Sequence, residues 1–257
     1  MIPIAHWKMN DNEANTTVAD SVGTSNGTAQ QNTEDITTTG KINEALSFNG
    51  TTDHIDCGDT AELNLSGQSV SFGAWVKYDT TSTNPYPFII AKANGSVGQY
   101  YLWYRLPNKT IFYGFHNGTT FEQGQIVSEL TTDWTHLFVV KDGNKMKLYK
   151  NNIMVSEFDS TGSIQSGSGD FLIGQSPTNK NVDRLWKGKI DDARVYNLGL
   201  SDAELGLIYN NGIGTEFTIL PPNTKMEEMY GGAYAKSKWG QALKKGKKLN
   251  KVLGATT

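Results

Sequence analysis

A regular alternation of side chains runs through Ser69-Val70-Ser71-Phe72-Gly73-Ala74-Trp75-Val76-Lys77. Phe72, Ala74 and Val76 share one face if this stretch is extended, because successive side chains of a β-strand point to opposite faces. The pattern therefore predicts a strand. Trp75 falls on the opposite face, among small or polar residues, so we expect both faces to be partly covered, as in a sandwich of two sheets.

Strand-like runs bounded by turn residues recur on both sides of this stretch. About a dozen runs at this spacing indicate two packed antiparallel sheets. The runs are 4–8, 45–49, 54–57, 70–78, 88–92, 99–105, 110–115, 136–141, 145–150, 153–158, 171–174 and 190–196. Asp142-Gly143 and Asn151-Asn152 are predicted hairpin turns, since Gly and Asn tolerate positive φ.

One short helix is expected after these strands. Ser201 is a predicted N-cap with Glu204 three residues later, which is the pattern of a capping box. Leu205 and Ile208 supply an apolar face, and Gly212 is expected to end the helix.

Composition and charge divide the chain of 257 residues into two parts. Only 19% of the residues are charged, 27 are glycine and the one cysteine cannot form an intramolecular disulfide, which suits a sandwich held by packing. Residues 225–257 contain eight lysines and two glutamates and so carry +6, which leaves −9 for the rest of a chain whose total is −3. We therefore predict a sandwich domain at 1–213, followed at 214–257 by a linker and a lysine-rich anchoring tail.

Several short motifs follow one another in order between residues 4 and 212. They are His6-Trp7 with Asn10-Asp11, residues 40–50 (GKINEALSFNG), 69–77, Trp134-Thr135-His136, 148–152, Leu172-Ile173-Gly174 and 188–197 (GKIDDARVYN). In this order and spacing they resemble the laminin G-like jelly-roll family of the concanavalin A-like lectin/glucanase superfamily. The resemblance implies an all-β, two-sheet antiparallel jelly-roll sandwich, here with one short helix and a C-terminal extension.

The acidic strand that marks hydrolases of this fold is missing from the sequence. Such enzymes carry E-x-D-x-E or E-x-D-x-x-E, which aims alternate carboxylates into one cleft. The nearest match, Glu157-Phe158-Asp159, has no third acid, and a hairpin strand with solvated carboxylates is the favoured interpretation. We predict no catalytic residues and no enzymatic activity, and a glycoside hydrolase is the least favoured function.

Calcium is the one cofactor that the sequence suggests. Members of the resembled family often bind a structural Ca²⁺ between the first loop and a late Ile-Asp-Asp strand, which the resemblance projects onto Asp11, Asp191 and Asp192. Oxygen-rich side chains in turns suit this ion. The alternative is that Asp192 is a buried carboxylate satisfied by backbone N–H groups or by Arg194.

A ligand-binding surface is predicted where aromatic residues cluster. Alternation places Tyr101, Trp103 and Arg105 on one side of a strand, and Tyr86 lies in the preceding Pro-rich loop. Aromatic faces with polar neighbours suit sugar rings. The alternative is that most of these rings fill the core.

The lysine-rich tail is predicted to dock the chain onto other protein subunits of a large assembly through residues 213–257. Nucleic acid or an anionic membrane is a less favoured partner. The predicted anchoring residues are Lys236, Lys238, Trp239, Leu243, Lys244, Lys245, Lys247, Lys248 and Lys251. The first ten residues also lack the pattern of an export signal.

These features together favour a non-enzymatic virus or phage protein, assembled in the host cytoplasm, that displays the sandwich at the virion surface for decoration or adhesion. The alternative is an extracellular carbohydrate-binding lectin module. In either function, glycans are expected to bind on the sandwich surface.

Overall fold

The computed structural model describes residues 1–94, 97–178 and 180–216, and within these ranges the chain forms two antiparallel sheets of eight strands each. The strands are β1 (Ala5–Trp7), β2 (Thr17–Val18), β3 (Gly27–Ala29), β4 (Thr37–Thr39), β5 (Glu44–Asn49), β6 (Ile55–Asp56), β7 (Ser69–Tyr78), β8 (Phe88–Asn94), β9 (Val97–Arg105), β10 (Thr110–His116), β11 (Phe121–Val127), β12 (Thr135–Asp142), β13 (Lys145–Lys150), β14 (Ile153–Asp159), β15 (Phe171–Ile173) and β16 (Lys187–Tyr196). Two short helices, α1 (Thr33–Ile36) and α2 (Asp202–Tyr209), accompany them.

Both sheets mix neighbours that are close and distant in sequence. The first sheet runs β14-β13-β12-β7-β16-β5-β4, with β1 also paired to β16. The second sheet runs β11-β10-β9-β8-β15-β6-β3-β2. Hairpins alternate with long crossovers in this order, which is typical of a jelly roll. The predicted two-sheet antiparallel sandwich is therefore confirmed.

Aromatic side chains join the two sheets across the core. Trp7 of the first sheet stacks on Phe171 of the second, with ring centroids 5.0 Å apart. Phe72 and Tyr100 also meet across the core, with centroids 5.2 Å apart and the rings tilted to one another by 51°. All four rings are fully buried, and each ring of this size removes roughly 150–250 Å² from water. Apolar burial between the sheets therefore dominates the packing.

The outer face of β7 is also covered, as its alternation predicts. Phe72, Ala74 and Val76 belong to the core between the sheets, whereas Trp75 points the other way and is still only 1% exposed. Tyr209 of α2 stacks on Trp75 with ring centroids 5.5 Å apart. The short helix thus closes the outer face of the first sheet.

The two predicted hairpin turns and the predicted helix start are observed. Asn151 and Asn152 have φ of 51° and 64°, and Gly143 has φ of 54°. The Ser201 side chain accepts a hydrogen bond from the Glu204 backbone N–H, and the Glu204 carboxylate accepts one from the Ser201 N–H in return. Helix α2 ends earlier than predicted, at Tyr209, because Asn210 takes up the left-handed conformation before Gly212 is reached.

No helix that the structure describes is both long enough and apolar enough to cross a membrane.

Candidate functional site

The predicted aromatic surface lies on the outer face of β9. Tyr100 and Leu102 point into the core and are fully buried, so the alternate residues Tyr101, Trp103 and Arg105 share the opposite face. The structure therefore brings these three predicted ligand residues onto one side of the second sheet.

Trp103 is the middle ring of a ladder across three neighbouring strands. Phe88 of β8 and Phe112 of β10 are its register partners. Trp103 stacks on Phe112 with ring centroids 4.2 Å apart and on Phe88 with centroids 5.6 Å apart. Because both faces of the indole are occupied, Trp103 can contact a ligand through its edge only. The three stacked rings of Phe88, Trp103 and Phe112 form a rigid surface, which we call the aromatic floor.

A cleft of about 200 Å³ opens over this floor. It lies between strands β8, β9 and β11 and the loop that follows β15. Its lining residues are Phe88, Ala91, Lys92, Ala93, Tyr101, Trp103, Phe121, Gln123, Ser176, Pro177, Thr178 and Arg184. Among these described residues none is an aspartate or a glutamate, so aromatic, neutral polar and cationic groups face the cleft.

Phe121 gives the cleft its most accessible aromatic surface. Its side chain is 52% exposed, whereas Tyr101 beside it is only 6% exposed. The two rings meet edge to face at 6.2 Å. The Tyr101 hydroxyl donates a hydrogen bond of 3.1 Å to the Gln123 side-chain oxygen, which leaves the Gln123 amide N–H groups for a ligand. The His116 ring also meets Phe121 edge to face at 4.9 Å, so the exposed half of the Phe121 ring and the Gln123 amide lie side by side.

Tyr86 lies next to the cleft rather than in its lining. Its ring meets Trp103 edge to face at 6.2 Å. The Arg184 guanidinium carbon lies 4.8 Å from the Tyr86 ring centroid and that of Arg105 lies 6.0 Å from it. All four predicted ligand residues therefore fall in one neighbourhood, with Tyr86 and Arg105 at its margin.

The three carboxylates predicted to hold calcium do not come together. Asp11 accepts a hydrogen bond from the Ala19 backbone N–H through Oδ1, and no group of three or more His, Cys, Asp or Glu side chains suited to a metal ion occurs in residues 1–94, 97–178 and 180–216. The described residues therefore do not assemble Asp11, Asp191 and Asp192 into one ligand set, and both their role as calcium ligands and the uptake of calcium by the protein stay predictions.

Asp192 has other partners, as the alternative interpretation held. Its Oδ1 lies 2.8 Å from Nη2 of Arg194 and 2.6 Å from Nε2 of His6. All three side chains are at most 1% exposed. Burial acts to raise the pKa of Asp192, but the Arg194 guanidinium and the His6 hydrogen bond outweigh it and the pKa is lowered. Arg194 also donates to the Thr215 carbonyl, so this network fastens the segment that follows α2.

Asp191 points away from this network. Its Oδ2 accepts hydrogen bonds from the backbone N–H groups of Lys41, at 2.7 Å, and Ile42, at 2.9 Å. Its Oδ1 is buried and has no hydrogen-bond partner among the described residues. Burial raises the pKa of Asp191 to about 8, opposed by the two N–H groups and assisted by the negative charges of Asp192 and Glu216. Asp191 is therefore largely protonated at neutral pH.

We expect Asp191→Asn to remove a pH dependence of stability. Between about pH 4 and pH 8 the folded chain keeps a proton that the unfolded carboxyl, with its ordinary pKa of about 3.9, has released. Rising pH therefore favours unfolding in this window, by up to about 1.4 kcal/mol per pH unit, and the loss is complete above the folded pKa. Urea unfolding across the window should show Asp191→Asn gaining stability relative to the natural chain as pH rises. The exposed control Asp133→Asn should show no such gain, and an unchanged slope in Asp191→Asn would contradict the assignment.

The nearest match to a hydrolase acid pair lies on the hairpin of β13 and β14. Glu157 Oε1 lies 3.1 Å from the Lys145 ammonium nitrogen, and Asp159 Oδ1 lies 2.7 Å from the same atom. These are surface ion pairs on the first sheet, whereas the cleft belongs to the second sheet. The structure therefore does not bring this acid pair to the cleft.

The predicted anchoring residues of the tail, Lys236, Lys238, Trp239, Leu243, Lys244, Lys245, Lys247, Lys248 and Lys251, lie outside the described residues.

Comparison with known proteins identifies the family. The laminin G model described as the concanavalin A-like lectin/glucanases superfamily matches residues 49–206, which is more than half of the chain. The chain belongs to the concanavalin A-like lectin/glucanase superfamily. No curated protein sequence matches it.

Solved structures of this superfamily fold superpose on most of the chain. Domain 4 of AbnA, a GH43 extracellular arabinanase from Geobacillus stearothermophilus, in complex with arabinotriose, has a TM-score of 0.61 at 21% identity, over 83% of this chain and 98% of that one. The botulinum neurotoxin serotype D ligand binding domain in complex with N-acetylneuraminic acid has 0.58 at 17%, over 81% and 50%. The binding domain of Paraclostridial Mosquitocidal Protein 1 has 0.63 at 11%, over 82% and 52%. The chain thus spans about half of the length of these last two binding domains.

Of the twelve residues that line the cleft, the sequence indicated only Tyr101 and Trp103 as ligand residues. Phe121 and Gln123 lie on β11, a strand that the sequence did not predict, and Ser176, Thr178 and Arg184 come from loops far away in the chain. One signal was available for Arg184. The chain has only three arginines, at 105, 184 and 194, whereas its other basic residues are mainly lysine. Because arginine suits the binding of carboxylates and aromatic faces better than lysine does, a rare arginine is a candidate binding residue.

Proposed function

We propose that the chain is a non-catalytic carbohydrate-binding module and that glycans bind in the cleft over Trp103. The observation that carries the proposal is the half-exposed Phe121 ring facing a cleft of about 200 Å³ with neutral polar groups around it. The C–H faces of a sugar ring pack on an aromatic ring, while its hydroxyl groups bond to amides and hydroxyls. The exposed Gln123 and Thr178 supply such groups, and the buried Ser176 hydroxyl lies 3.1 Å from that of Thr178.

The solved structures of similar fold support the proposal. Two of them were determined with sugars bound, arabinotriose in one and N-acetylneuraminic acid in the other. At 21% and 17% identity the similarity concerns the fold alone. The position of the proposed glycan site in this chain therefore rests on the cleft and its lining residues.

The direct test is a glycan array probed with the full chain, followed by calorimetric titration of the best ligand. We expect Phe121→Ala to weaken binding at least tenfold, about 1.4 kcal/mol, because the open ring face for stacking is lost. Stability should change little, since half of this side chain is exposed.

Val127→Ala is the matched control for this variant. Val127 is 75% exposed on the same face of β11, six residues and about 20 Å further along the strand. It should bind as the natural chain does. An array without a hit, or equal affinity of Phe121→Ala and Val127→Ala, would reject the cleft as a glycan site. Cleavage of any bound sugar would overturn the non-catalytic assignment.

A display role at a virion surface remains a prediction. It depends on the contrast between the acidic sandwich and the basic residues 225–257, and those residues lie outside the described part of the chain. Removing residues 225–257 should release the protein from particles while glycan binding is retained. Retained particle association without them would contradict docking through the tail.

A further inference from the structure

The chain uses its three arginines in two different ways. Arg194 is buried and paired with Asp192. Arg105 and Arg184 both lie against Tyr86 beside the cleft, with guanidinium carbons within 6.0 Å of one ring centroid. The two arginines outside the core therefore lie together beside the Tyr86 ring, at the margin of the cleft.

These two guanidinium groups keep unused hydrogen-bonding capacity. The Nε atoms of Arg105 and Arg184 are buried and have no hydrogen-bond partner in the part of the chain that the structure describes. The nearest carboxylate to Arg184 is Asp183, whose Oδ1 lies 3.6 Å from Nε, beyond hydrogen-bond distance. A buried donor without an acceptor is unfavourable. The Arg184 side chain as a whole is 27% exposed, so a ligand oxygen can approach the guanidinium from its exposed side.

The charge of the cleft has the same sign as these arginines. Its described lining contains Lys92 and Arg184 and no carboxylate. The Lys92 side chain is fully buried and its ammonium group is bound to Asp59 at 2.9 Å. Among the described residues Arg184 has only the longer ion pair of 3.6 Å with Asp183 and is 27% exposed, so it is the lining cation that a ligand can reach. Residues 1–224 carry a net charge of −9, so a cationic cleft is a local exception on an acidic surface. Local charge of this kind attracts anions.

We propose that the cleft selects glycans that carry an anionic group, bound by Arg184 with Arg105 beside it. The inference rests on the proposed glycan site and names its ligand class. A guanidinium presents parallel N–H donors that match the two oxygens of a carboxylate or a sulfate. Tyr86 packs against both guanidinium groups and orients them, while the sugar ring itself lies over the aromatic floor.

The test uses pairs of glycans that differ only in the anionic group. One pair is N-acetyllactosamine with and without a terminal sialic acid, and the other is the same disaccharide with and without a sulfate. Calorimetric titration of the full chain should give at least tenfold tighter binding to an acidic member than to its neutral partner, and the difference should shrink as salt is added. The two pairs distinguish a carboxylate from a sulfate.

Arg184→Gln should reduce the ratio of acidic to neutral affinity to near one. Arg105→Gln should reduce it in part, and this second variant keeps the test meaningful if the first does not fold. Lys147→Gln, on β13 of the other sheet, makes the same change of charge and should leave every affinity as it is.

The two proposals fail differently in this experiment. Equal affinity for acidic and neutral glycans would overturn the anionic selectivity and leave the glycan site intact. A preference that survives in Arg184→Gln and Arg105→Gln together would overturn the assignment to these residues. No binding of either member of any pair, at concentrations that suit weak lectins, would overturn the glycan site and its selectivity together.

Discussion

Replacing Arg194 by methionine lowers the free energy of unfolding by about 3–5 kcal/mol. The change leaves Asp192 buried at 0% exposure with a single short contact to His6, whose pKa is lowered mainly by its own burial. A buried carboxylate without its cation costs far more than the lost contact. The Arg194→Met substitution also removes the guanidinium that donates a hydrogen bond to the Thr215 carbonyl oxygen. Urea unfolding, followed by tryptophan fluorescence, measures the loss.

The double variant Asp192→Leu with Arg194→Met is the control. Because it removes both charges and fills the space with apolar atoms, most of the stability should return. A single variant Arg194→Met with the unfolding midpoint of the natural chain would show that Asp192 is not dependent on this guanidinium.

Trp103→Ala is expected to cost both stability and glycan binding. The indole is stacked on both faces by Phe88 and Phe112, so its removal opens a gap between two rings. A loss of about 3 kcal/mol in the free energy of unfolding follows from large-to-small substitutions of this kind. Binding should be lost as well, since the floor of the cleft is removed. Thermal unfolding and calorimetric titration give the two quantities on one sample.

Trp103→Phe separates the two effects. A phenyl ring keeps the ladder in place, so stability should be largely restored, while the edge that faces the cleft is shortened. Full stability of Trp103→Ala would contradict the structural role of the ladder.

Most of the fold could be predicted because its core strands alternate regularly. In β7 the apolar set Phe72, Ala74 and Val76 faces the other sheet, and each of the dozen predicted runs overlaps an observed strand. The hairpin at Asn151-Asn152 could be predicted for a different reason. Its two left-handed residues are of the type that tolerates this conformation.

Four strands were missed because their sequences lack that alternation. β4 consists of Thr37–Thr39 alone, β3 also has three residues and β2 has two. β11 contains Gly124 and three polar residues among its seven, and it is an edge strand with much of its surface in water. Such strands are held by pairing with a neighbour rather than by burying an apolar face, so local sequence reveals little of them. Phe121 was overlooked for that reason.

The candidate site was predictable only in part. The alternation of residues 100–105 placed Tyr101, Trp103 and Arg105 on one face, as observed. Arg184 reaches the same place through tertiary folding, which spacing in the chain cannot reveal. Spacing in the chain also could not reveal that the neighbours Asp191 and Asp192 have different partners at the bulge in β16, where Asp192 has a φ of 53°.

The stacked rings of Phe88, Trp103 and Phe112 also bear on how a ligand is received. Each ring restricts the rotamers of the next, so the conformational entropy of these side chains is given up when the chain folds rather than when a sugar arrives. A preorganised surface of this kind loses little further freedom on association, which favours docking of a ligand without rearrangement beneath it.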